Sequence, residues 1–425
     1  MKKIITIALA LIVSISIVFA SSVFDDFKFD DFKADLVANE SKGFSESLEG
    51  YKPSNPQSMG MGGAGLAIND SLDSLFSNPS ILGQGKVRFS IPSATVTVNH
   101  VYELVKKGED GKSALDKIQT AIKEGAADNI SDLVPVVSSL IGTGKSKIAS
   151  VEASVGMLAN VFGLAMNVND TVRSFDGTVF DDLKISAVMG LGFGFGNDDV
   201  RLNVGFTGKI NVNAFSKRIS VNDAMNFNEE TINQLPFAIG YGIPFDAGVS
   251  LKFHSLKATA TLTDINILGL GDYKYDMILV EDVTTRLNSI DAISGEATKI
   301  RENSVYQFTP KMKLNAGIAF DTESSTGIKL AFDVVDILSI PDALDAGYST
   351  KGVVLGHTKI GAEFSLFNFL KVRGGLNSGY FTLGGSVNLG FITIDAAYFW
   401  EELGVVAGEK GLDGLSLRFN IGWDN

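Results

Sequence analysis

The amino-acid sequence predicts an all-β fold, a transmembrane antiparallel β-barrel with long alternating strands. Hydrophobic residues make up 45% of the chain, and the mean hydropathy is positive. Beyond the N-terminus, Gly, Asn, Asp, Lys or Thr interrupts every apolar stretch, so no membrane helix is expected. In lipid, only helices and closed barrels satisfy their own backbone hydrogen bonds. A soluble β-sandwich is the alternative that remains.

Strand length favours the membrane barrel over the sandwich. Arg201–Ala214 alternates strictly, with Leu202, Val204 and Phe206 on one face and polar residues on the other. Successive side chains of a strand point to opposite faces, so such a segment has one apolar and one polar face. Soluble strands average roughly five or six residues, whereas barrel strands need about 9 to 11 to cross lipid. The same alternation recurs in Lys311–Phe320, Lys359–Leu366, Leu370–Leu376 and Phe381–Leu389.

Residues 1–20 are predicted to be a signal peptide. Met1-Lys2-Lys3 is followed by an apolar run to Phe19 and by the small residue Ala20, after which cleavage is expected. The run of about 16 residues is short of the roughly 20 that a spanning helix needs. Export of a barrel predicts a location in the outer membrane of a diderm bacterium.

Charge and residue usage exclude several functions. Cleavage would remove two lysines, leaving 34 basic and 49 acidic residues and a net charge of −15. Such a chain is a poor partner for nucleic acid, which needs a basic surface. The chain has no cysteine and three histidines, so no metal site, cofactor or disulfide is expected. His100, His254 and His357 lie outside any nucleophile motif, so the protein is not expected to be an enzyme.

Residues 21–50 form a predicted acidic N-terminal arm. The arm contains a tandem repeat, Phe24–Lys28 followed by Phe29–Lys33. Its composition is typical of a mobile arm. A docking peptide for a periplasmic or secretion partner, formed by Phe24–Lys33, is the alternative.

Residues 51–85 are a Gly-rich segment ahead of the predicted strands. Met59–Gly65 holds four glycines, and Asn78-Pro79-Ser80 follows. Glycines let a backbone follow tight paths or approach another backbone closely. The segment is too apolar for a solvated linker and too rich in glycine for a stable helix.

Residues 86–425 are the predicted barrel, with a polar lumen. One face of the strands should meet lipid and the other should line the interior. In Met189–Gly196, large residues alternate with glycines, so the inner wall there would be bare backbone with room for a plug or ligand. The predicted lumen residues are Asn203, Lys209, Asn211, Lys313, Asn315, Glu363, Arg373 and Arg418.

A helical insert, 102–147, interrupts the strand pattern. Leu115, Ile118 and Ile122 share one helical face. A second helix would present an apolar face that either receives a hydrophobic solute or packs over the barrel. This candidate landing surface consists of Leu133, Val136, Val137, Leu140 and Ile141.

The C-terminal strand and nearby aromatic residues fit insertion into a bilayer. Leu415–Trp423 alternates and ends near an aromatic, which resembles the signal read by the bacterial barrel-assembly machinery. Asp424 and Asn425 follow, whereas that signal usually ends on the aromatic. Tyr398, Trp400 and Trp423 are candidates for an interfacial girdle.

The stretch from Met59 to Gly83 resembles the start of the FadL family of outer-membrane transporters for long-chain fatty acids and other hydrophobic compounds. The resemblance implies a barrel of about 14 strands whose N-terminal segment folds into the lumen as a hatch. Ser80 stands where the family usually has Ala. The matching hatch residues are Gly60, Gly62, Gly63, Gly65, Asp70, Asn78, Pro79 and Ser80.

The later strands resemble a broader group that includes PorV-like barrels. Leu330–Ile337, Gly361–Glu363 and Arg373–Asn377 carry that likeness. Two functions are therefore expected as alternatives. The first is passive uptake of hydrophobic small molecules, with a possible wall gap at Gly240–Pro244, where proline donates no hydrogen bond. The second is a secretion or assembly partner without transport.

Overall fold

The computed structural model describes residues 51–68, 71–108, 112–123, 144–220, 236–279, 306–367 and 369–424. Most of them form antiparallel strands. In chain order the strands are β1 (Val87–Asn99), β2 (Lys145–Ala159), β3 (Phe162–Phe175), β4 (Thr178–Gly196), β5 (Val200–Ser216), β6 (Ile219–Ser220), β7 (Pro236–Gly242), β8 (Phe245–Phe253), β9 (Leu256–Ile265), β10 (Tyr273–Leu279), β11 (Tyr306–Phe308), β12 (Lys313–Asp321), β13 (Gly327–Val334), β14 (Thr358–Leu366), β15 (Leu370–Asn377), β16 (Tyr380–Asn388), β17 (Ile392–Glu402) and β18 (Gly411–Asp424).

Fourteen of the described strands close into one barrel. Each pairs with the next around the ring, and β1 pairs with both β2 and β18, which closes it. The remaining four, β6, β7, β10 and β11, extend the sheet beyond one end of β4 and β5. Closure leaves no edge strand in the ring, so every ladder position has a neighbour. The predicted strand ranges agree with the observed ones to within four residues, the largest difference being Leu415 against Gly411 at the start of β18.

The outer surface of the barrel is an apolar belt. Phe206 on β5 is 58% exposed and Met189 on β4 is 59% exposed, while their strand neighbours Thr207 and Val188 are buried inside. A sandwich would bury these faces against each other, so the sandwich alternative is wrong and the apolar faces are positioned to meet lipid. Members of the belt include Met157, Leu164, Leu191, Leu202, Ile210, Leu251, Ile318, Leu330, Ile360, Phe364, Val372, Leu383 and Phe419.

The two ends of the barrel differ in the length of their connections. Val87 and Asp424 lie at the short-turn end, where Asn160-Val161 and His254-Ser255 each join two strands. The long-loop end carries the β6–β7 and β10–β11 extensions and every described helix but the first. The helices are α1 (Pro56–Gly60), α2 (Val101–Val105), α3 (Ala114–Lys123), α4 (Ile340–Asp345) and α5 (Thr350–Gly356), with 3₁₀ turns at Leu72–Phe76, Pro79–Gln84 and Ile337–Ser339.

Helix α3 agrees with the first predicted helix of the insert, whereas α2, α4 and α5 were not predicted. The candidate landing residues Leu133, Val136, Val137, Leu140 and Ile141 lie outside the described residues, as do Asp70, the 1–20 leader and the arm with Phe24–Lys33. Among the helices that the structure describes, none is long and apolar enough to cross a bilayer.

The predicted interruption near Gly240–Pro244 is present. Ile243 and Pro244 separate β7 from β8, and both strands pair with β5. Lys209 N nevertheless donates to Pro244 O at 3.0 Å, and Ile243 N donates to Leu270 O at 2.6 Å. These bonds connect the interruption to both neighbours, so the break alone does not open the wall.

Candidate functional site

Residues 51–68 and 71–85 lie inside the barrel against its inward-facing residues, and we call them the lumen segment. Tyr51, Leu75, Phe76, Ile81 and Leu82 are buried there and pack on Leu158, Ala165 and Val188 of the wall. The Tyr51 and Phe76 rings meet edge to face, with centroids 5.0 Å apart. The segment therefore has an apolar core of its own, which the wall completes.

The first contact with the wall is a glycine seat on β14–β16, formed by Gly361, Gly375 and Gly384. A Cβ on Gly384 would lie 2.9 Å from Gly60 Cα, and one on Gly375 would overlap the backbone of Met61 and Gly62. Real Cβ atoms essentially never come this close, so the seat admits the segment because it has no side chains. The turn after α1 can therefore lie directly on the barrel backbone.

A second glycine seat on β4, β5 and β8 holds the 3₁₀ turn at Pro79–Gln84. A Cβ on Gly248 would lie 2.9 Å from Ser80 N, and one on Gly205 would overlap the Pro79 carbonyl. The glycines alternating with Met189, Leu191 and Phe193 face this turn, in the space that the sequence predicted for a plug or ligand. The seat consists of Gly190, Gly192, Gly194, Gly205 and Gly248.

Asp73 and Arg418 form a buried ion pair that fixes the middle of the lumen segment to β18. Arg418 donates to both carboxylate oxygens of Asp73, with Nη2 to Oδ1 at 3.2 Å, and its Nε donates to Ser93 Oγ at 2.6 Å. The two side chains are 5% and 4% exposed. A planar guanidinium matches a carboxylate with two bonds, so the pair sets orientation as well as attachment.

Asn78 organises the Asn-Pro-Ser motif. Its Oδ1 accepts from Ser80 N at 3.1 Å, which caps the following 3₁₀ turn, and Pro79 occupies the first position of that turn. Its Nδ2 donates to Leu66 O at 2.8 Å. One side chain therefore joins the seated turn to the residues before the gap at 69–70.

Gly65–Ile68 follow the first seat in the lumen segment, and we call them the bridge. Asp333 Oδ2 on β13 accepts from Gly65 N at 2.7 Å and from Leu66 N at 2.9 Å. A Cβ on Gly65 would find no atom within 4 Å. The start of the bridge is thus held by polar contacts beside open space, whereas Ala67 and Ile68 are buried against Ala319 and Ala331 of the wall.

The bridge separates two cavities, and Ile68 lines both. The upper cavity, on the long-loop side, has a volume of about 520 Å³. The lower cavity, on the short-turn side, has a volume of about 570 Å³. The upper cavity is amphipathic: Met61, Leu66 and Phe76 of the segment lie opposite Lys209, Lys313 and Lys359 of the wall.

The eight predicted lumen residues all face the interior, although their roles remain predictions. Lys313 and Asn315 line the upper cavity, and Asn203 lines the lower. Lys209 Nζ lies 2.8 Å from Asp246 Oδ2, Arg373 Nε lies 2.6 Å from Glu363 Oε2, and Asn211 Nδ2 donates to Tyr273 OH at 2.7 Å. Arg418 binds Asp73 as described above.

Each described hatch residue also has a definite place. Gly60 and Gly62 lie in the first seat, and the Gly63 backbone faces the Lys359 side chain. Gly65 belongs to the bridge, and Asn78-Pro79-Ser80 lie in the second seat.

Sequence reasoning missed Asp73 and Asp333. Asp333 entered the sequence analysis only as part of the stretch Leu330–Ile337. Asp333 lies two residues after Ala331 and four after Lys329, which both face inward. This alternation was the sequence signal that Asp333 also faces the lumen. For Asp73 no local pattern pointed to a partner 345 positions away.

A His–Ser contact at the long-loop end does not amount to a catalytic site. His100 Nε2 lies 2.7 Å from Ser146 Oγ, and burial lowers the pKa of His100. Ser146 is buried, and the nearby Asp413 carboxylate accepts from Tyr102 N and Tyr398 OH. Across the residues that are described, no cluster of three or more His, Asp or Glu side chains could hold a metal ion.

No protein-family model matches the chain, and no curated protein matches it. Among solved structures, the chain is similar to the Ralstonia pickettii toluene transporter TbuX, with 12% identity and a TM-score of 0.43 over 88% of this chain and 98% of that one. It is also similar to a Pseudomonas aeruginosa FadL homologue, with 10% identity and a TM-score of 0.41 over 88% and 100% of the two chains.

The Pseudomonas putida toluene transporter TodX gives 10% identity and a TM-score of 0.41 over 88% of this chain and 98% of that one. One of these structures is a homologue of FadL, the family that the stretch Met59–Gly83 resembles. Similarity this distant concerns the fold, and the function is argued below from the lumen segment and its cavities.

Proposed function

We propose that this protein is an outer-membrane barrel for passive uptake of hydrophobic small molecules, with the bridge as its gate. Barrels of this kind have short periplasmic turns and longer external loops. The upper cavity would then open towards the exterior and the lower one towards the periplasm.

The position of Ile68 between the two cavities carries the proposal. Because Ile68 lines both, a shift of the bridge by about one residue diameter would join the upper cavity to the lower. The parts of the segment on either side of the bridge are seated on glycines and tied by Asp73–Arg418, so they can stay in place while the bridge moves. A plug built this way gates a path without leaving the barrel.

The upper cavity suits a hydrophobic solute with a polar end. Met61, Leu66 and Phe76 offer apolar surface, and burying apolar area is favourable by about 25 cal/mol per Å². Lys209, Lys313 and Lys359 face the same space beside Asp264, Asp336 and Glu363, so the lining offers both donors and acceptors to a polar end. Within the wider hydrophobic class we propose long-chain fatty acids as substrates, with Lys313 and Lys359 as the groups that would meet the carboxylate. Transport would run down the concentration gradient of the solute.

A reversible crosslink of the bridge tests the proposal. A Cβ built on Gly317 lies 3.3 Å from Leu66 Cβ, close to the usual separation of about 3.5–4.5 Å in a disulfide. The chain has no cysteine of its own. In proteoliposomes, oxidised L66C/G317C should lose uptake of a fluorescent fatty acid, and reduction should restore it.

The reduced double variant is the matched reference, because a side chain at position 317 would also overlap Asp333. L66C alone, treated with the same oxidant, controls for oxidation. Equal uptake by the oxidised and reduced forms would contradict gating by the bridge. Absence of uptake by the wild type, together with a stable co-purifying partner, would favour the secretion or assembly role instead.

A further inference from the structure

The lower cavity carries a ring of basic side chains that the proposed gate does not use. One inward-facing Lys or Arg comes from each of six strands around the short-turn end, and Lys86 just before β1 adds a seventh. Asp198, Asp321 and Glu323 are the acidic residues of the same lining. The six are Arg88, Arg201, Lys252, Lys257, Lys329 and Lys371.

This excess of positive charge runs against the composition of the chain. The whole protein has a net charge of −13, yet basic residues outnumber acidic ones seven to three in this cavity. Like charges gathered at one mouth repel each other, and a cleft lined by one sign of charge concentrates ions of the opposite sign. The excess of basic side chains therefore favours binding of an anion in this cavity.

Carboxylates hold four of the lysines in position, and one of these carboxylates, that of Glu363, lies outside the cavity lining at 3.7 Å from Lys329 Nζ and 3.6 Å from Lys371 Nζ. Glu323 lies 2.7 Å from Lys252 Nζ and 3.1 Å from Lys257 Nζ. Asp321 lies 2.9 Å from Lys257 Nζ. Burial alone would raise the pKa of Glu323, but hydrogen bonds from these two lysines outweigh it and lower that pKa. Glu323 thus stays ionised, and the shared carboxylates fix the lysine heads side by side.

Arg201 ties the ring to the lumen segment. Its Nη2 donates to Gly83 O at 2.8 Å, and its Nε donates to Asn203 Oδ1 at 3.0 Å. Ala67 and Ile68 of the bridge form the inner end of the same cavity. An ion held by the ring would therefore lie directly below the bridge, within a cavity of about 570 Å³.

We propose that this ring is a binding site for an anionic oxygen group, a carboxylate or a phosphate, at the short-turn mouth of the barrel. Rings of Lys and Arg select anions in membrane pores in the same way. The anion is either free in solution or the head of an amphiphile whose tail contacts Ala67 and Ile68. The site does not require that the barrel transports anything, so it stands apart from the proposed uptake.

Titration calorimetry of the detergent-solubilised full chain tests the site, with inorganic phosphate and octanoate as probes and octanol as the uncharged control. The variant K252Q/K371Q removes two charges from well-separated strands. We expect it to bind both anions at least about tenfold more weakly, a loss of about 1.4 kcal/mol. K252R/K371R should bind as the wild type does, since it keeps the charge.

Lys311→Gln is the matched control at the long-loop end, where that side chain is 80% exposed, and it should leave binding unchanged. Tighter binding of octanoate would identify an amphiphile head, and tighter binding of phosphate a free anion; both support the site when K252Q/K371Q weakens them. The proposal would be overturned if octanol bound as tightly as octanoate, or if K252Q/K371Q bound the anions as tightly as the wild type. Binding without saturation would indicate an adventitious ion only and would also overturn it.

Discussion

The glycine seats and the bridge are parts of one segment that the barrel holds in opposite ways. In the first seat, Gly375 leaves no room for a Cβ because the Met61–Gly62 backbone occupies its place. At the start of the bridge, Gly65 has open space on the side where its Cβ would be, and Asp333 accepts hydrogen bonds from Gly65 N and Leu66 N. Glycine is required at position 375 because there is no space for a side chain, and at position 65 because of its backbone conformation.

The seats therefore attach the lumen segment to the wall, and the bridge is the part that can move. Close-packed interiors transmit strain and resist displacement, whereas a few polar contacts beside water-sized space can break and re-form. The seats should therefore stay closed while the bridge opens. Hydrogen exchange of backbone amides, measured by mass spectrometry in detergent, can compare the two regions, because its rate reports the free energy of local opening.

The largest effect is expected from Asp73→Asn, which removes one charge of the buried pair. Arg418, only 5% exposed, would keep its charge without a full partner, which typically costs about 3 kcal/mol or more. Amides around Leu72–Phe76 should then exchange about a hundredfold faster. The control is Asp342→Asn, whose partner Lys311 is 80% exposed, and this change should shift exchange less than about threefold.

Retention of wild-type exchange in D73N would show that the glycine seats alone hold the segment. In that case packing on the glycine seats, and not the ion pair, would anchor the lumen segment.

Gly375→Ala should have the next largest effect, because the added methyl overlaps the Met61–Gly62 backbone. Overpacking a filled site costs about 1–3 kcal/mol, so amides near Gly62 should exchange about thirtyfold faster. Gly374→Ala, one position earlier on β15, is the matched control. Its Cβ would lie 3.8 Å from the nearest atoms, so little change is expected. Equal effects of the two substitutions would contradict the seat.

Asp333→Ala should free the bridge and leave both seats intact. It removes the acceptor of two backbone bonds, but water in the adjoining cavities can replace part of the loss, so a net cost of about 1.4 kcal/mol is expected. Gly65 and Leu66 amides should exchange about tenfold faster, and fatty-acid uptake should rise. Asp333→Asn keeps one acceptor oxygen and should give an intermediate result. Faster exchange in the seats as well would show that bridge and seats open together.

Much of the barrel could be predicted from alternation, because side-chain parity in a strand determines which residues face lipid. Arg201–Ala214 was predicted and β5 runs from Val200 to Ser216. The inward positions of Glu363 and Arg373 followed from the same parity. The glycines at 190, 192 and 194 also predicted space on the inner wall, which the turn at Pro79–Gln84 occupies.

The contacts of the lumen segment could not be predicted in the same way. Asp73 and Arg418 are 345 positions apart, and periodicity carries no information about such pairs. The additional strands β7 and β10 lie in the long loops, where alternation is short. Gly65 lies in the Gly-rich segment and Gly375 in a predicted strand. Neither pattern tells whether space or backbone conformation requires the glycine, so only coordinates make that distinction.

Gly65→Ala should give the smallest effect and the sharpest test of that distinction. Gly65 has φ +143°, a conformation that residues with a Cβ rarely adopt, so strain of about 1 kcal/mol is expected. The methyl itself meets nothing within 4 Å. Bridge amides should therefore exchange less than about fivefold faster, well below the effect of Gly375→Ala. An effect as large as that of G375A would mean that the bridge is packed as tightly as the seats, and a bridge packed that way could not gate.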